Sequence, residues 1–146
     1  MQPKANTKKW RQRLGRSGET LAADYLKALG YELLETNYHA GRRGELDLVL
    51  RRDSLVLFAE VKTRLSAEIE TGQMAVGSAK QRKIVAAALF YLQNEAQRAT
   101  QIRFDVVLIN FKSSYQVVKE LVESDDYSAL QKLAEIIHIE DAFGTL

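Results

Sequence analysis

Two apolar runs joined by a short polar segment dominate the middle of the chain. Residues 46–50 read LDLVL and residues 55–61 read LVLFAEV, with RRDS between them. Short apolar runs rich in β-branched residues and bounded by turn residues are typical of buried strands. The pattern therefore predicts a β-hairpin. It also places three charges inside or at the end of its strands: Asp47, Glu60 and Lys62.

Before the hairpin, the apolar positions follow the spacing of an amphipathic helix. They are Leu21, Ala22, Tyr25, Leu26 and Leu29. Ser17 fits the N-cap position, and Gly30 fits the position that follows the last turn. We therefore expect a helix over residues 17–30, a short strand over 31–38 and a tight basic loop over 39–44.

After the hairpin, residues 63–77 show no sustained period and predict a loop, either a working lid or a poorly ordered segment. A helix is expected from Ser78, which forms a capping-box pattern with Gln81. Its predicted apolar stripe is Ile84, Val85, Ala88, Leu89 and Leu92. Residues 102–109 predict a strand, and the order strand, helix, strand favours parallel pairing through a right-handed crossover.

The last part of the chain is expected to complete the sheet. Residues 115–122, YQVVKELV, are interpreted as a further strand or edge element, and residues 127–143 as a short helix followed by a strand through 136–139. The whole pattern predicts one domain of the α/β or α+β class, with a mixed central sheet that begins as a meander and is flanked by helices.

Composition restricts the kinds of site that the chain can build. There is no cysteine, which excludes disulfides and cysteine-based metal sites, and there are only two histidines, His39 and His138. No apolar run approaches the roughly 20 residues of a membrane span. The basic N-terminus lacks the apolar stretch of a signal peptide. We therefore expect a cytoplasmic protein that does not associate with membranes.

The charge is unevenly distributed along the chain. Residues 1–119 carry a net charge of +8 and residues 120–146 a net charge of −6. Residues 1–16 hold six basic residues and no acid, and are expected to form a basic mobile arm that precedes a domain over 17–146. This asymmetry fits a polyanionic partner, but it equally fits a solvated surface with an acidic end.

Whether the three charges meet depends on the register of the hairpin. Glu60 and Lys62 share one face because side chains alternate along a strand. With a two-residue turn at residues 52–53, Asp47 lies diagonal to Glu60 and within reach of it. A register shifted by two residues puts Asp47 directly opposite Glu60, whereas a three-residue turn puts it on the other face.

Two carboxylates beside an apolar sheet need a compensating cation. Mg²⁺ or Mn²⁺ suits such a pair, since these ions take one or two carboxylates and keep water or phosphate oxygens as their other ligands. A lysine beside them can act on the attacking water or on charge that develops at phosphorus. The alternative is an ion pair at a strand end, and the short pattern of Asp followed by Glu-x-Lys leaves that alternative open.

Four ordered motifs carry a family resemblance: GETLAADYL, GELDLV, LFAEVKTR and RFDVVLI. They resemble the YraN-like family of uncharacterised bacterial proteins. That family is similar to the PD-(D/E)xK, or restriction-endonuclease-like, superfamily, and particularly to archaeal Holliday-junction resolvases. The resemblance covers the chain from about Gly15 to Ile109 and implies a restriction-endonuclease-like fold.

The resemblance also implies roles for individual residues. Asp47 and Glu60 correspond to the catalytic carboxylates that bind the metal, and Lys62 to the catalytic lysine. Glu19 corresponds to an acid on the first helix that assists the metal directly or through water. Leu46 stands where the name of the superfamily has proline, a position that varies within it.

Contacts to nucleic acid are expected from six further residues. The resemblance implies three of them on the helix that follows the loop, directed towards the site or the DNA backbone: Lys80, Gln81 and Arg82. The other three are arginines near the hairpin that could bind phosphates or could be plain surface residues: Arg42, Arg43 and Arg64.

The remaining polar residues have plainer interpretations. Asp105 and Arg103 lie on one side of a predicted strand and are expected to pair with each other. His39 is expected in a loop and His138 in the late strand, and neither is assigned a role.

Three functions stay open at this point. The first is a nuclease that depends on Mg²⁺ or Mn²⁺ and acts on branched or otherwise structured DNA. The second is a nucleic-acid-binding module that keeps the fold without turnover. The third is an interaction protein whose acidic residues 120–146 recruit a basic partner. DNA is favoured over RNA as the nucleic acid, and a homodimer is possible because a four-way junction offers two symmetric cuts.

Overall fold

The computed structural model describes residues 4–66, 76–95, 98–99 and 101–144, with side chains from residue 9 onward. Its elements, in chain order, are helix α1 Lys4–Ala28, strand β1 Glu32–His39, a 3₁₀ turn Gly41–Arg43, β2 Glu45–Arg52, β3 Leu55–Leu65, α2 Ser78–Asn94, β4 Gln101–Phe111, α3 Tyr115–Glu123, α4 Tyr127–Leu133 and β5 Ala134–Phe143.

The five strands form one mixed sheet in the order β1-β2-β3-β4-β5. Neighbouring strands are antiparallel except for β3 and β4, which run parallel from the pair Leu55 and Gln101 to the pair Leu65 and Phe111. Parallel neighbours need a long crossover, and the segment that contains α2 supplies it. The predicted fold, one small α+β domain with a mixed sheet flanked by helices, is confirmed.

A hydrophobic cluster covers each face of the sheet, and β3 contributes to both. Leu57 and Ala59 pack in the cluster beneath α1, while Val56 and Phe58 pack in the cluster beneath α2. This division follows from the alternation of side chains along a strand. Helices α3 and α4 join the α1 side through three buried side chains: Val118, Val122 and Leu130.

Helix α1 starts earlier than the sequence pattern predicted. The expected start at Ser17 is wrong, and residues 9–16 belong to the helix rather than to a separate basic arm. Trp10 and Leu14, one turn apart, are only 2% and 3% exposed in the same cluster as Leu21. These apolar side chains hold the basic segment against the domain, because their burial favours the helix over a free arm.

The segment YQVVKELV is helix α3, so its interpretation as a strand is wrong. Val118 and Val122 lie four residues apart and are both buried, which is a helical rather than a strand period. The Ser114 side chain accepts a hydrogen bond from the Val117 backbone N–H at 3.2 Å and caps the helix. The expected helix and late strand that follow are confirmed as α4 and β5.

Helix α2 differs from prediction in its cap and in its buried face. Gly77 is the N-cap, so the expected Ser78 cap is wrong, and the Gln81 amide instead donates to the Val76 carbonyl at 2.7 Å. Leu89, expected in the apolar stripe, is 51% exposed, and Tyr91 is buried instead. Residues 63–65 of the expected loop belong to β3, and residues 67–75 lie outside the described part of the chain.

None of the described helices is long and apolar enough to cross a membrane.

The packing of α1 on β3 depends on a glycine. A Cβ atom at Gly18 would lie 2.0 Å from the Thr63 Oγ1 atom, whereas a Cβ atom at Gly15, in the same helix, would have nothing within 4 Å. The missing side chain therefore lets α1 lie directly on the part of β3 that follows Lys62. It also brings Glu19, the next residue of the helix, to the same end of the sheet.

We expect Gly18→Ala to lower the free energy of unfolding even though alanine is the better helix former by about 1 kcal/mol. The added methyl group would force α1 away from Thr63. The control is Gly15→Ala, which should raise stability by up to about 1 kcal/mol because propensity acts there without a clash. Urea denaturation of both variants measures the two effects. An increase in stability for both would contradict the close approach of α1 to β3.

Candidate active site

The hairpin turn brings Asp47 and Glu60 to face each other. Arg52 pairs with Leu55 and the register continues to Leu48 with Ala59, so the next position places Asp47 opposite Glu60. The two turn residues are thus 53 and 54, with Asp53 in a left-handed conformation at φ 54°. The turn expected at residues 52–53 is wrong by one residue. The alternative shifted register, with Asp47 opposite Glu60, is the one that the structure shows.

The carboxyl groups of Asp47 and Glu60 lie within hydrogen-bond reach of each other. Asp47 Oδ2 also accepts a hydrogen bond of 2.9 Å from the Val61 backbone N–H. Burial, followed by the hydrogen bond and the negative charge of Asp47, raises the pKa of Glu60 to about 9. Two carboxylates in contact repel each other when both are ionised. The pair therefore holds a proton at neutral pH unless a cation replaces that proton.

Lys62 lies beside this pair, and its charge attracts that of Glu60. Burial, followed by the charge of Arg64, lowers the pKa of the Lys62 amine, and Glu60 only partly offsets this shift. Attraction between an acid and a base lowers the acid's pKa and raises the base's pKa. At Glu60 and Lys62 burial outweighs this attraction, so both net shifts run the other way.

Strand β4 carries a true buried ion pair for comparison. Arg103 donates two hydrogen bonds of 2.8 Å to Asp105, whose side chain is fully buried. His138 Nε2 lies 2.6 Å from Asp105, and the Asp141 backbone N–H donates to it at 3.0 Å. Although burial opposes it, these hydrogen bonds lower the pKa of Asp105 and raise that of Arg103. The predicted pairing of Asp105 with Arg103 is confirmed, as is the position of His138 in a late strand.

Glu19 reaches the same end of the sheet from α1. Its Oε1 atom accepts a hydrogen bond of 3.2 Å from the Asn37 side chain. Burial raises the pKa of Glu19, with further contributions from the charges of Asp47 and Glu45 against the lowering effect of Asn37. Glu19 thus acts electrostatically on Asp47, one member of the pair.

These three acids do not form a closed metal cage. Across the described ranges, no group of three or more His, Cys, Asp or Glu side chains is placed to hold a metal ion. The Asp47–Glu60 pair can supply two carboxylates, which is the number that Mg²⁺ usually takes from protein while keeping water ligands.

The six residues predicted to contact nucleic acid are spread over β3, α2 and the 3₁₀ turn. Lys80 lies in the first turn of α2, and its charge lowers the pKa of Glu60 against the larger effect of burial. Arg82 and Arg42 are exposed. Arg43 lies 4.5 Å over the Phe90 ring.

Two of the six donate side-chain hydrogen bonds within the fold. Gln81 donates to the Val76 carbonyl just before α2, and Arg64 donates to the Thr63 carbonyl at 2.9 Å. Lys80 and Arg64 thus act electrostatically on the candidate site, through Glu60 and Lys62, while Gln81 has a structural role at the start of α2.

Sequence reasoning missed two residues near the site. Asn37 holds Glu19 and has a left-handed backbone at φ 49°, which asparagine tolerates better than most residues. An asparagine inside an otherwise strand-like run was the available signal. Arg16 acts electrostatically on Glu19 from one turn earlier in α1, and no signal pointed to it while residues 1–16 were interpreted as a separate arm.

Residues 18–109 match the model of the Uncharacterised protein family UPF0102, and the chain belongs to this family. It is the YraN family that the four motifs resemble, so that recognition is confirmed. UPF0102 proteins resemble the chain over most of its length. One from Chloroherpeton thalassium is 35% identical over 90% of this chain and 94% of its own. One from Chlorobium chlorochromatii is 40% identical over 89% and 90%, and one from Syntrophus aciditrophicus is 43% identical over 68% and 78%.

The two charge clusters should differ in what they contribute to stability. Arg103→Met would leave the buried Asp105 without its main partner and should lower the free energy of unfolding by roughly 3–5 kcal/mol. Lys62→Met removes a cation that burial disfavours and should change it by less than about 1 kcal/mol. Urea denaturation of both variants makes the comparison. If both variants lost the same free energy of unfolding, Lys62 would be a structural ion-pair partner of the carboxylates.

Glu60 should make stability depend on pH. Its folded pKa of about 9 lies above the ordinary 4.5, so its contribution is fully present below pH 4.5 and is lost as the pH rises through about 9. We therefore expect Glu60→Gln to gain stability relative to the wild type across this window. Melting temperatures in a chelating buffer, with the exposed Glu140→Gln as control, measure the difference. A constant difference between wild type and Glu60→Gln would contradict the shared proton.

Proposed function

We propose that the protein is a nuclease that depends on a divalent metal ion and hydrolyses phosphodiester bonds in branched or otherwise structured DNA. The observation that carries the proposal is the facing pair of Asp47 and Glu60, with Lys62 beside it. Burial is the largest cause of the raised pKa of Glu60 and of the lowered pKa of Lys62. Shifts of this kind, produced by burial among like charges, are common at functional sites.

Asp47 and Glu60 would hold Mg²⁺ or Mn²⁺ in place of the proton that they share. Such an ion polarises a phosphoryl oxygen and lowers the pKa of bound water. Lys62 lies next to the pair, where its amine could orient the attacking water or stabilise charge that develops at phosphorus. In hydrolysis, an oxygen–phosphorus bond forms from water, the bond from phosphorus to the leaving oxygen breaks, and that oxygen takes up a proton.

The order of elements supports the proposal. An acid on the first helix, an Asp on one strand and Glu-x-Lys on the next follow the pattern of the PD-(D/E)xK superfamily. In this chain Glu19 lies on α1, Asp47 on β2, and Glu60 and Lys62 on β3. Leu46 in the proline position is buried and continues the strand. By analogy with that superfamily, this order of residues supports the nuclease interpretation. The facing carboxyl groups of Asp47 and Glu60 give it a chemical basis.

A second candidate is a DNA-binding module without turnover. Exposed arginines in the 3₁₀ turn and on α2 can bind phosphates whether or not a metal ion is held, which favours this alternative. The exposed Arg42 and Arg82 would then bind phosphates without any chemistry at Asp47 and Glu60. In both candidates the partner is nucleic acid, DNA rather than RNA, and the two differ in whether a metal ion and a cut strand are involved.

Metal binding should release a proton. Because Asp47 and Glu60 share one below about pH 9, Mn²⁺ must displace it, and its affinity should rise with pH towards that value. Calorimetry in two buffers of different ionisation enthalpy counts the protons released. Asp47→Ala should abolish binding, whereas Lys62→Met should retain it. Equal affinity in wild type and Asp47→Ala would show that the pair is not the metal site.

Cleavage decides between the two candidates. Labelled four-way junction, flap, duplex, single-stranded DNA and RNA are incubated with Mn²⁺ and either wild type, Asp47→Ala or Lys62→Met. We expect the wild type alone to cut, with a structured DNA as the best substrate. If all three proteins bind DNA and none cuts it, the binding module is the correct function.

A further inference from the structure

We propose that the exposed side of the N-terminal half of α1, defined by Lys9, Gln12 and Arg16 and called here the α1 basic face, binds the DNA backbone on one side of the scissile phosphate. This inference rests on the proposed function and adds a binding surface to it. None of the six residues that the sequence assigned to nucleic acid lies on α1, so the surface is distinct from the one expected on α2 and the 3₁₀ turn.

The geometry of the helix aligns these side chains. Lys9 and Arg16 are seven residues apart, which is close to two turns, so they lie on the same side of α1 about 10 Å apart along its axis. Gln12 lies between them, and all three are exposed. The opposite side of the helix is held by Trp10, Leu14 and other buried residues. The α1 basic face is therefore fixed in place by packing that does not use its own side chains.

A groove runs along this face as far as Glu19. It has a volume of about 390 Å³ and is lined by Gln12, Gly15, Arg16, Glu19, Asn37, His39 and Glu45. Glu19 is the acid that acts electrostatically on Asp47. A DNA strand bound in this groove would therefore contact Arg16 one helical turn from Glu19.

A cation near the groove can bind a phosphate only if it is not already engaged by acids of the protein. Arg13 is engaged by Asp125 at 2.7 Å and by the Val122 carbonyl at 2.8 Å, so it links α1 to α3. The Arg16 guanidinium, in contrast, has no hydrogen bond or ion pair to the described part of the chain. Glu45 also borders the groove and would repel phosphates, which favours a path along Arg16 rather than along β2.

Cations on the α1 side of the candidate active site would offset the repulsion between its carboxylates and DNA. Asp47 and Glu60 repel a polyanion, and Lys80 of α2 acts on Glu60 from the α2 side only. Arg16 acts on Glu19 from the α1 side. With a cation at each flank, a DNA strand that crosses the carboxyl pair is attracted both before and after the reactive phosphate.

The test is the salt dependence of DNA binding. Fluorescence anisotropy with a labelled four-way junction, in chelating buffer, compares wild type with Lys9→Glu/Arg16→Glu and with Lys132→Glu, an exposed cation of α4. The double variant should bind at least about tenfold more weakly, and its slope of log affinity against log salt should fall by roughly two, since each lost phosphate contact removes about 0.9. Lys132→Glu should keep the wild-type slope.

Three results are decisive. A double variant with the wild-type affinity and slope would overturn the α1 basic face while leaving the proposed function intact. A loss in Lys132→Glu about half that of the double variant, in proportion to its smaller change of charge, would mean that only net charge matters, and would also overturn it. Wild-type protein that binds no DNA would overturn the proposed function and this inference together. Lys9→Gln/Arg16→Gln, which removes charge without adding acid, should show the same fall in slope with a smaller loss of affinity, and the wild-type melting temperature.

Discussion

Strand β3 lies at the centre of the sheet, and both hydrophobic clusters of the protein meet on its two faces. Its pairing with β2 is set by a two-residue turn, and its parallel pairing with β4 runs without interruption over the whole strand. A slip of one residue would move every β3 side chain to the opposite face. The register of β3 therefore fixes the core and, through the same alternation, the direction in which its terminal charges point.

The alternation also explains how two charge clusters with different roles lie so close in the sheet. Ala59 pairs with Asp105 and Glu60 pairs with Val106, so neighbouring positions carry the two acids. Ala59 lies on the α1 face of the sheet. Asp105 contacts His138, which in turn contacts Tyr25 of α1. Glu60 lies two residues after Phe58 and therefore on the same face as Phe58, the α2 face. One acid is buried with an arginine and a histidine and stabilises the fold. The other lies against a second acid, Asp47, and its pKa is raised rather than lowered.

The strands of the sheet could be predicted from the sequence, whereas the register that forms the candidate site could not. Strong apolar runs bounded by turn residues gave β2, β3 and β4, because burial on both faces leaves an unmistakable pattern. The register was left open because Arg52, Asp53 and Ser54 are all acceptable turn residues, and only the packing of both faces selects among them. Since the alternatives differed in where they put Asp47, the meeting of the carboxyl groups could be proposed from sequence but not decided.

The errors have a common physical cause. The predictions for residues 9–16 and for the segment YQVVKELV rested on charge and β-propensity, which are local properties. In the structure both segments are helices whose buried side chains belong to one hydrophobic cluster: Trp10 and Leu14 from α1, and Val118 and Val122 from α3. Tertiary burial overrides weak local preference in both places. Contacts between α1 and distant strands, such as Gly18 on Thr63, leave no periodic signal in a single sequence.

Charge counting along the chain was a poor guide to the surface for a similar reason. The acidic excess of residues 120–146 is partly used inside the fold: Asp125 pairs with Arg13, Glu135 with Lys112, and Asp126 caps α4. Exposed cations lie on several elements, among them α1, α2, the 3₁₀ turn and α4. A net charge of only +2 therefore does not describe the surface that a polyanion would meet, since part of the acidic charge is paired inside the fold.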